Sequence, residues 1–292
     1  MITITLNTLK KIVKALGYVV YKKKRVAYNF DLYGDKAYIL NNGSYYIDRL
    51  KKRYHKLSIK SHLEGFLVDI DKTRYYITST EELYILNEVL VDDCYNFIPN
   101  KPSIVIDIGM NIGIASLYFA SKINIEKIIA FEPVKTTFDQ GSVNFKLNPS
   151  ISSKIEAYNY GLGIKDETVS LTFNSNYKGS VGKIQAPLII HDKMNNTIIT
   201  AKLKSVETEI INTLSRFKDK QLVLKMDCEG CEFDLIPILN NAHLLSRFSY
   251  IMMEYHGNEP SNLCDILQKN NFKILQKRSS HTLGMIYAFK ND

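Results

Sequence analysis

The chain has 292 residues, 45% hydrophobic and 23% charged, which suits one large domain or a core of about 190 residues with a smaller N-terminal part. Its formal net charge of +8 fits an ordinary basic protein or one with an anionic partner, such as RNA or an acidic membrane surface. No apolar run approaches about 18 residues, so the sequence predicts no transmembrane segment. Four unevenly spaced cysteines do not make a disulfide framework and favour a reducing, cytoplasmic location. No pattern indicates an oligomeric state.

Residues 1–99 are predicted to form a basic α+β region that covers the substrate side of the remaining chain. Hydrophobic spacing, charge and turn residues give its elements. They are an amphipathic helix at 5–16, short strands within 25–47, a basic helix at 48–60, a hairpin of Phe66–Ile70 and Arg74–Thr78, and a helix from Thr80 to about Val91.

Pro99 and Pro102 mark the predicted start of a second domain, residues 100–292, in which strands and helices alternate. Alternation of this kind predicts a mainly parallel sheet with helices on both faces. Residues 161–218 interrupt it and are expected to shape the substrate side. The predicted strands are 104–108, 127–131, 155–160, 221–226, 248–254, 273–276 and 285–289, the last able to insert antiparallel, and the helices are 111–122, 135–147, 230–240 and 260–270.

A glycine turn follows the first strand of this domain, with the pattern Asp107-x-Gly109-x-Asn111-x-Gly113. A dinucleotide fingerprint requires G-x-G-x-x-G, and the middle glycine that admits a pyrophosphate is absent here. No P-loop is present either, so an NAD-linked oxidoreductase is disfavoured. A ligand with an amino-acid end and an adenosine end, S-adenosylmethionine (SAM), fits better. Asp107 would then hold its ammonium group through water, while backbone N–H groups bind its carboxylate.

The second and third strands supply the expected contacts to the adenosine. Glu132 and Pro133 end the second strand, and an acidic residue there can accept hydrogen bonds from both ribose hydroxyls. Gly161 and Leu162 follow the third strand, where their backbone can meet the adenine edge. The sequence therefore predicts that these four residues bind the cofactor.

The ends of the fourth and fifth strands carry the candidate catalytic residues. Lys225, Asp227 and Glu229 follow one another in the segment LKMDCEGCE, and ionisable residues are rare in a buried parallel strand. Glu254 and His256 alternate at the end of the fifth strand, so they point the same way. His256 is a candidate general base because the pKa of histidine is near neutral.

No metal is assigned from the sequence. Cys228 and Cys231 form C-x-x-C, but no second pair or histidine lies at zinc spacing, so packing is favoured over a redox pair. Asp227, Glu229 and Glu254 could bind a divalent cation that acidifies a hydroxyl, although no spacing demands one.

At these residues the sequence resembles the FkbM family of SAM-dependent methyltransferases. The family's pattern K-x-D-x-E-G-x-E is matched in full from Lys225 to Glu232, whereas Met110 stands where a small residue is usual. The first 80 residues contribute nothing to the resemblance. The matching segments, in the family's order, are VIDIGMNIGIASLYFA, IIAFEPVKTTFDQGSVNFKLN, NYGLG, LVLKMDCEGCEFDLIPIL and IMMEYHG.

The resemblance implies a Rossmann-like, seven-stranded methyltransferase fold and methyl transfer from SAM to a hydroxyl of a sugar, glycan or natural product. We expect Asp227 or His256 to take the hydroxyl proton, with Lys225, Glu229 and Glu254 fixing the acceptor and the base. Two alternatives stay open. One is an RNA methyltransferase that uses the basic N-terminal region. The other is a SAM-binding or partner-binding protein without catalysis.

Overall fold

A computed structural model describes residues 31–97, 99–179, 182–183 and 196–290. The predicted amphipathic helix at 5–16 lies outside the described residues, as do residues 25–30 of the predicted strands. In the described part of the chain, no helix combines the length and the hydropathy that crossing a bilayer requires.

The first described segment is helical, so the prediction of strands over residues 31–47 was wrong. A 3-10 helix (Asp31–Lys36) leads into helix α1 (Ala37–Asn42) and helix α2 (Ser44–Arg53). The alternation of polar and apolar residues concealed a helical spacing: Ile47 and Leu50, three positions apart on α2, are both buried, and they join Ile39 and Leu40 of α1 in one apolar core. The basic helix predicted at 48–60 is also too long, since it ends at Arg53.

A three-stranded antiparallel sheet follows, made of β1 (Leu57–His62), β2 (Gly65–Ile70) and β3 (Thr73–Ile77). Its second and third strands confirm the predicted hairpin. Helix α3 (Thr80–Leu90) is also confirmed. It begins with a capping box in which the Ser79 side chain accepts the Glu82 N–H and the Glu82 side chain accepts the Ser79 N–H.

The main sheet begins with β4 (Ser103–Ile108), whose six residues are all buried. The chain continues through helix α4 (Ile114–Ala120), β5 (Ile125–Phe131), helix α5 (Lys135–Lys146), the short helix α6 (Pro149–Ser152) and β6 (Ile155–Tyr158). Helix α4 starts three residues later than predicted because the glycine turn extends to Gly113.

The interruption predicted at 161–218 is a second, four-stranded sheet followed by a helix. Its strand order is β7-β10-β8-β9, and β7 pairs in parallel with β10. The elements are β7 (Gly161–Gly163), β8 (Glu167–Asn174), β9 (Gly182–Lys183), β10 (Asn196–Ser205) and helix α7 (Val206–Arg216).

The main sheet is completed by β11 (Gln221–Met226), helix α8 (Glu232–Asn241), β12 (Phe248–His256), helix α9 (Ser261–Lys269), β13 (Lys273–Arg278) and β14 (Leu283–Phe289). The seven strands have the order β13-β14-β12-β11-β4-β5-β6. Neighbouring strands from β12 to β6 are parallel, and β14 inserts antiparallel between β12 and β13, as the sequence predicted. The carboxyl ends of β4, β5, β11 and β12 therefore meet at one edge.

Two apolar cores lie on the two faces of this sheet. Successive residues of β4 divide between them, Ile104 and Ile106 on one face and Val105 on the other. The core that contains Val105 also includes Phe66 and Leu86, so the N-terminal elements pack on the main sheet. The domain boundary at residues 99–100 stays a prediction.

Candidate active site

The turn between β4 and α4 requires its glycines for two reasons. Gly109 and Gly113 have φ angles of +82° and +81°, and Asn111 has +54°, a region that costs glycine nothing and asparagine little. A Cβ on Gly109 would lie 1.8 Å from the Asp227 carbonyl oxygen, and one on Gly113 would lie 2.5 Å from the Phe145 ring. The turn therefore packs directly against the end of β11.

Glu132, at the end of β5, fixes the position of this turn. Its Oε2 accepts the Asn111 N–H at 2.9 Å and its Oε1 accepts the Val134 N–H at 2.9 Å. Burial raises the pKa of Glu132 to about 7. A carboxylate offers about four lone-pair sites, so two remain for hydroxyl donors such as those of a ribose.

Short strand β7 lies beside Glu132 and Pro133. A Cβ on Gly161 would be 3.2 Å from the Pro133 Cβ, so the absence of a side chain lets the two segments touch. Leu162 is buried in the core, and the contact predicted between its backbone and a ligand stays a prediction. The predicted cofactor residues of the second and third strands are thus brought together.

Asp107 and Lys225 form a buried ion pair that joins β4 to β11. Lys225 Nζ lies 3.1 Å from Asp107 Oδ1 and donates to the Gly109 carbonyl at 2.6 Å. The Ser116 hydroxyl donates to Asp107 Oδ2 at 2.6 Å. Burial lowers the pKa of Lys225, but Asp107 and then Asp227 outweigh burial and raise it. Lys225 is therefore a positioning residue, and the contact predicted between Asp107 and an ammonium group stays a prediction.

The turn after β11 is closed by internal bonds. Glu232 accepts the N–H groups of Cys228 and Gly230, both at 2.9 Å. Cys228 and Cys231 pack against the core, as predicted, and they are also joined by a disulfide, which the sequence did not favour. The same bonds hold Glu229 at a φ angle of +57°. The sequence included Glu232 only as part of a family pattern and did not predict its role in building the turn.

His256 approaches this turn from β12. Its Nδ1 lies 3.3 Å from Glu232 Oε1, and its Nε2 lies 3.9 Å from Asp227 Oδ1 and 4.0 Å from Glu229 Oε2. Burial lowers the pKa of His256, but the hydrogen bond to Glu232 and then the charges of Asp227 and Glu229 raise it to about 10. An imidazolium cannot accept a proton, so Asp227 is better suited than His256 to act as a base in this arrangement.

The N-terminal region contributes side chains that sequence reasoning missed. Tyr95 Oη donates to Asp227 Oδ2 at 3.1 Å, across 132 positions of sequence. On helix α3, Glu88 accepts a hydrogen bond from Tyr84 and interacts electrostatically with Asp227. No local signal could have found Tyr95 or Glu88, because only tertiary packing brings them to the end of β11.

Glu88, Glu229 and Glu254 interact electrostatically with Asp227, and Glu81 interacts with Glu229. All four carboxyl groups have raised pKa values, in each case mainly because of burial. The pKa values of Glu81 and Glu88 are raised to about 7, and those of Glu229 and Glu254 to about 8. The site is thus lined by acidic groups from α3, β11 and β12.

We expect the free energy of unfolding of the ligand-free chain to fall as the pH rises from about 5 to about 8. In the folded state Glu88 has a pKa of about 7, above its ordinary value of 4.5. Its protonated form is therefore favoured by folding, and this contribution is complete below pH 4.5 and lost as the pH rises through 7.

Urea unfolding at pH 5, 6, 7 and 8 tests this. The free energy of unfolding should depend less on pH in Glu88→Gln than in the wild type. Glu207→Gln, at an exposed site on α7, should follow the wild type. An unchanged slope in Glu88→Gln would contradict the assignment.

The strand order, the antiparallel β14, the glycine turn after β4 and the acidic residue after β5 define a Rossmann-like fold of the class I methyltransferase type. The methyltransferase FkbM domain matches residues 107–274, more than half of the chain. The chain belongs to this family.

Individual relatives cover different shares of the chain. Methyltransferase sdnD of Sordaria araneosa is 38% identical over 117 residues, which are 39% of this chain and 44% of the relative. Methyltransferase 1 of Beauveria bassiana is 30% identical over 176 residues, 55% of this chain and 68% of the relative. The chain therefore spans less than half of the first relative's length. A crystal structure of methyltransferase FkbM from Methylobacillus flagellatus KT superposes with a TM-score of 0.44 at 12% identity, covering 97% of this chain and 70% of that one.

Proposed function

We propose that this protein transfers a methyl group from SAM to a hydroxyl of a sugar, glycan or other natural product. The observation that carries the proposal is the position of Glu132 and Asp227 at the carboxyl ends of β5 and β11, on either side of the glycine turn after β4. Ligands of open α/β sheets bind at this edge. One site can then bind the donor beside Glu132 and the acceptor beside Asp227.

On the donor side, the remaining lone pairs of the Glu132 carboxylate suit the two ribose hydroxyls. The backbone of the turn from Gly109 to Gly113 suits the amino-acid end, and the backbone of Gly161 and Leu162 suits the adenine edge. Lys225 supports this side indirectly, because it holds the Gly109 carbonyl at 2.6 Å.

On the acceptor side, the acidic lining suits a polyhydroxylated molecule. Carboxyl groups accept hydrogen bonds from hydroxyls, and Asp227, Glu229 and Glu254 lie together at the ends of β11 and β12. Residues 1–99 would cover this side, a role supported by the Tyr95 hydrogen bond and by Glu88 on helix α3. Binding there would exclude water and align the hydroxyl with the methyl carbon.

In the proposed reaction the acceptor oxygen forms a bond to the methyl carbon while the carbon–sulfur bond of SAM breaks. The electron pair of that bond goes to sulfur, giving S-adenosylhomocysteine and a methyl ether. The hydroxyl proton passes to the Asp227 carboxylate, whose side chain is 30% exposed and thus open to an acceptor. The donor is already activated, so alignment supplies most of the rate.

Calorimetry with SAM and with NAD tests the donor. We expect SAM to bind and NAD not to bind. Glu132→Gln should weaken SAM binding about 10-fold or more, since it removes a charged acceptor of hydrogen bonds, and Glu207→Gln should bind as the wild type does. Failure of SAM to bind would refute the proposal.

Incubation with methyl-labelled SAM and fractionated extract tests the acceptor. Label in glycan or in a hydroxylated small molecule would support the proposal. Label in RNA would favour the RNA alternative, and binding of SAM without any transfer would favour the non-catalytic one.

A further inference from the structure

We propose that Asp227, Glu229 and His256 bind a divalent transition-metal cation, which coordinates the acceptor hydroxyl. The inference rests on the proposed function for its catalytic meaning, but the cation site itself is argued from geometry alone. One ligand atom from each of the three residues lies within 4.8 Å of the other two. The sequence suggests Glu254 as the third ligand, whereas the structure places His256 beside Asp227 and Glu229.

The distances leave a space that a cation can fill. His256 Nε2 lies 3.9 Å from Asp227 Oδ1 and 4.0 Å from Glu229 Oε2, too far for a hydrogen bond to either. Within the described part of the chain, the His256 ring forms a hydrogen bond through Nδ1, with Glu232, and none through Nε2. Metal–ligand bonds to histidine and carboxylate are about 2.0–2.2 Å long. When an ion binds, the three ligand atoms would therefore move toward it by some tenths of an ångström.

His256 is oriented as a metal ligand usually is. Its Nδ1 lies 3.3 Å from the fully buried carboxylate of Glu232, which directs Nε2 toward Asp227 and Glu229. Metal-binding histidines commonly donate their second ring N–H to a carboxylate, and this fixes both the tautomer and the ring orientation.

The two carboxylate ligands are also held before any ion binds. Asp227 Oδ2 accepts the Tyr95 hydroxyl, which leaves Oδ1 directed at the histidine. Glu229 stands in the turn that the Glu232 hydrogen bonds and the disulfide between Cys228 and Cys231 close. A preformed turn of this kind lowers the cost of assembling the ligands.

The ligand set indicates the kind of cation. One imidazole and two carboxylates suit Mn²⁺, Fe²⁺, Co²⁺ or Zn²⁺ better than Mg²⁺, which prefers oxygen ligands alone. Three protein ligands leave coordination positions for an alcohol oxygen. The cation would lower the pKa of that hydroxyl. With Asp227 serving as a ligand, the proton would pass to solvent instead of to Asp227 before the oxygen takes the methyl group.

Mn²⁺ titration of the full chain, followed by electron paramagnetic resonance of the free ion, tests the site. The chain is stripped with EDTA and kept without thiol reductants, so that the disulfide stays intact. We expect one site in the wild type and an affinity at least about 10-fold lower in His256→Gln and in Glu229→Gln. The exposed Glu207→Gln, on helix α7 and outside the triad, should stay within about three-fold of the wild type. Equal Mn²⁺ affinity in all variants, or no binding below about 1 mM, would overturn the site.

Two measurements keep the result independent of variant folding and of the proposed function. In the wild type, oxidative cleavage by bound Fe²⁺ and peroxide should cut the chain near residues 227–229 and 256, and cuts confined to other segments would overturn the site. SAM binding and methyl transfer are then measured in EDTA. Unchanged transfer would overturn the cation's role while the methyltransferase function stands, whereas Mn²⁺ binding without SAM binding would support the site and refute that function.

Discussion

Replacing Asp227 with asparagine is expected to lower kcat for methyl transfer by about 100-fold or more while the Kd for SAM changes less than about two-fold. Asparagine keeps the shape of the side chain and can still accept the Tyr95 hydroxyl, but it cannot take a proton and binds a cation poorly. The proposed donor site lies beside Glu132 on the other side of the glycine turn, so SAM affinity should not depend on the charge of Asp227. Label transfer to the acceptor fraction gives kcat, and calorimetry gives the Kd.

Asp234→Asn is the matched control. Asp234 is exposed in the first turn of helix α8, close to Asp227 in sequence but outside the cluster. Its kcat should stay within about two-fold of the wild type, since an exposed charge at a helix start contributes little beyond local stability. Full activity in Asp227→Asn, with SAM binding intact, would remove Asp227 from the mechanism.

Replacing Lys225 with methionine is expected to lower the free energy of unfolding by about 3–5 kcal/mol, because it leaves the carboxylate of Asp107 buried without its partner. Both side chains are almost inaccessible, 3% and 0% exposed. The substitution also removes the hydrogen bond to the Gly109 carbonyl, so SAM affinity should fall with stability. Urea unfolding measures the first effect and calorimetry the second.

Two comparisons separate the buried charge from a general effect of the substitution. Lys204→Met breaks an exposed pair with Asp166 and should leave the free energy of unfolding almost unchanged, because solvent screens the two charges. The double variant Lys225→Met, Asp107→Asn should recover part of the loss, since the unpaired charge is gone. A loss below about 1 kcal/mol in Lys225→Met would show that the ion pair is not what holds β11 to the turn.

The glycine turn was predictable because its constraints are local. Gly109, Asn111 and Gly113 adopt the left-handed conformations that their residue types favour. Glu132 was equally predictable from the sequence, since it follows an apolar strand at the spacing that a parallel sheet requires. Its bond to the Asn111 N–H joins the two predicted motifs in one site.

The roles of the charged residues were less predictable than their positions. Lys225 was expected to assist catalysis, yet its partners are Asp107 and the Gly109 carbonyl. His256 was expected to act as a base, but the carboxylates around it raise its pKa to about 10. Charge and burial at these two residues depend on side chains from β4, from the turn after β11 and from helix α8, which only the tertiary structure brings together.

The sequence by itself predicted the strands and helices of the main sheet, the antiparallel last strand and the segments proposed to hold the donor, because hydrophobic periodicity and turn residues act within a few positions of the chain. Only the tertiary structure decided how the acceptor side is built. Tyr95 and Glu88 reach Asp227 through the packing of helix α3 and the loop after it on the sheet. The sequence placed Asp227, Glu229 and His256 at one edge of the sheet but suggested Glu254 as the third cation ligand. The structure groups His256 with Asp227 and Glu229, because the buried Glu232 orients the histidine toward them.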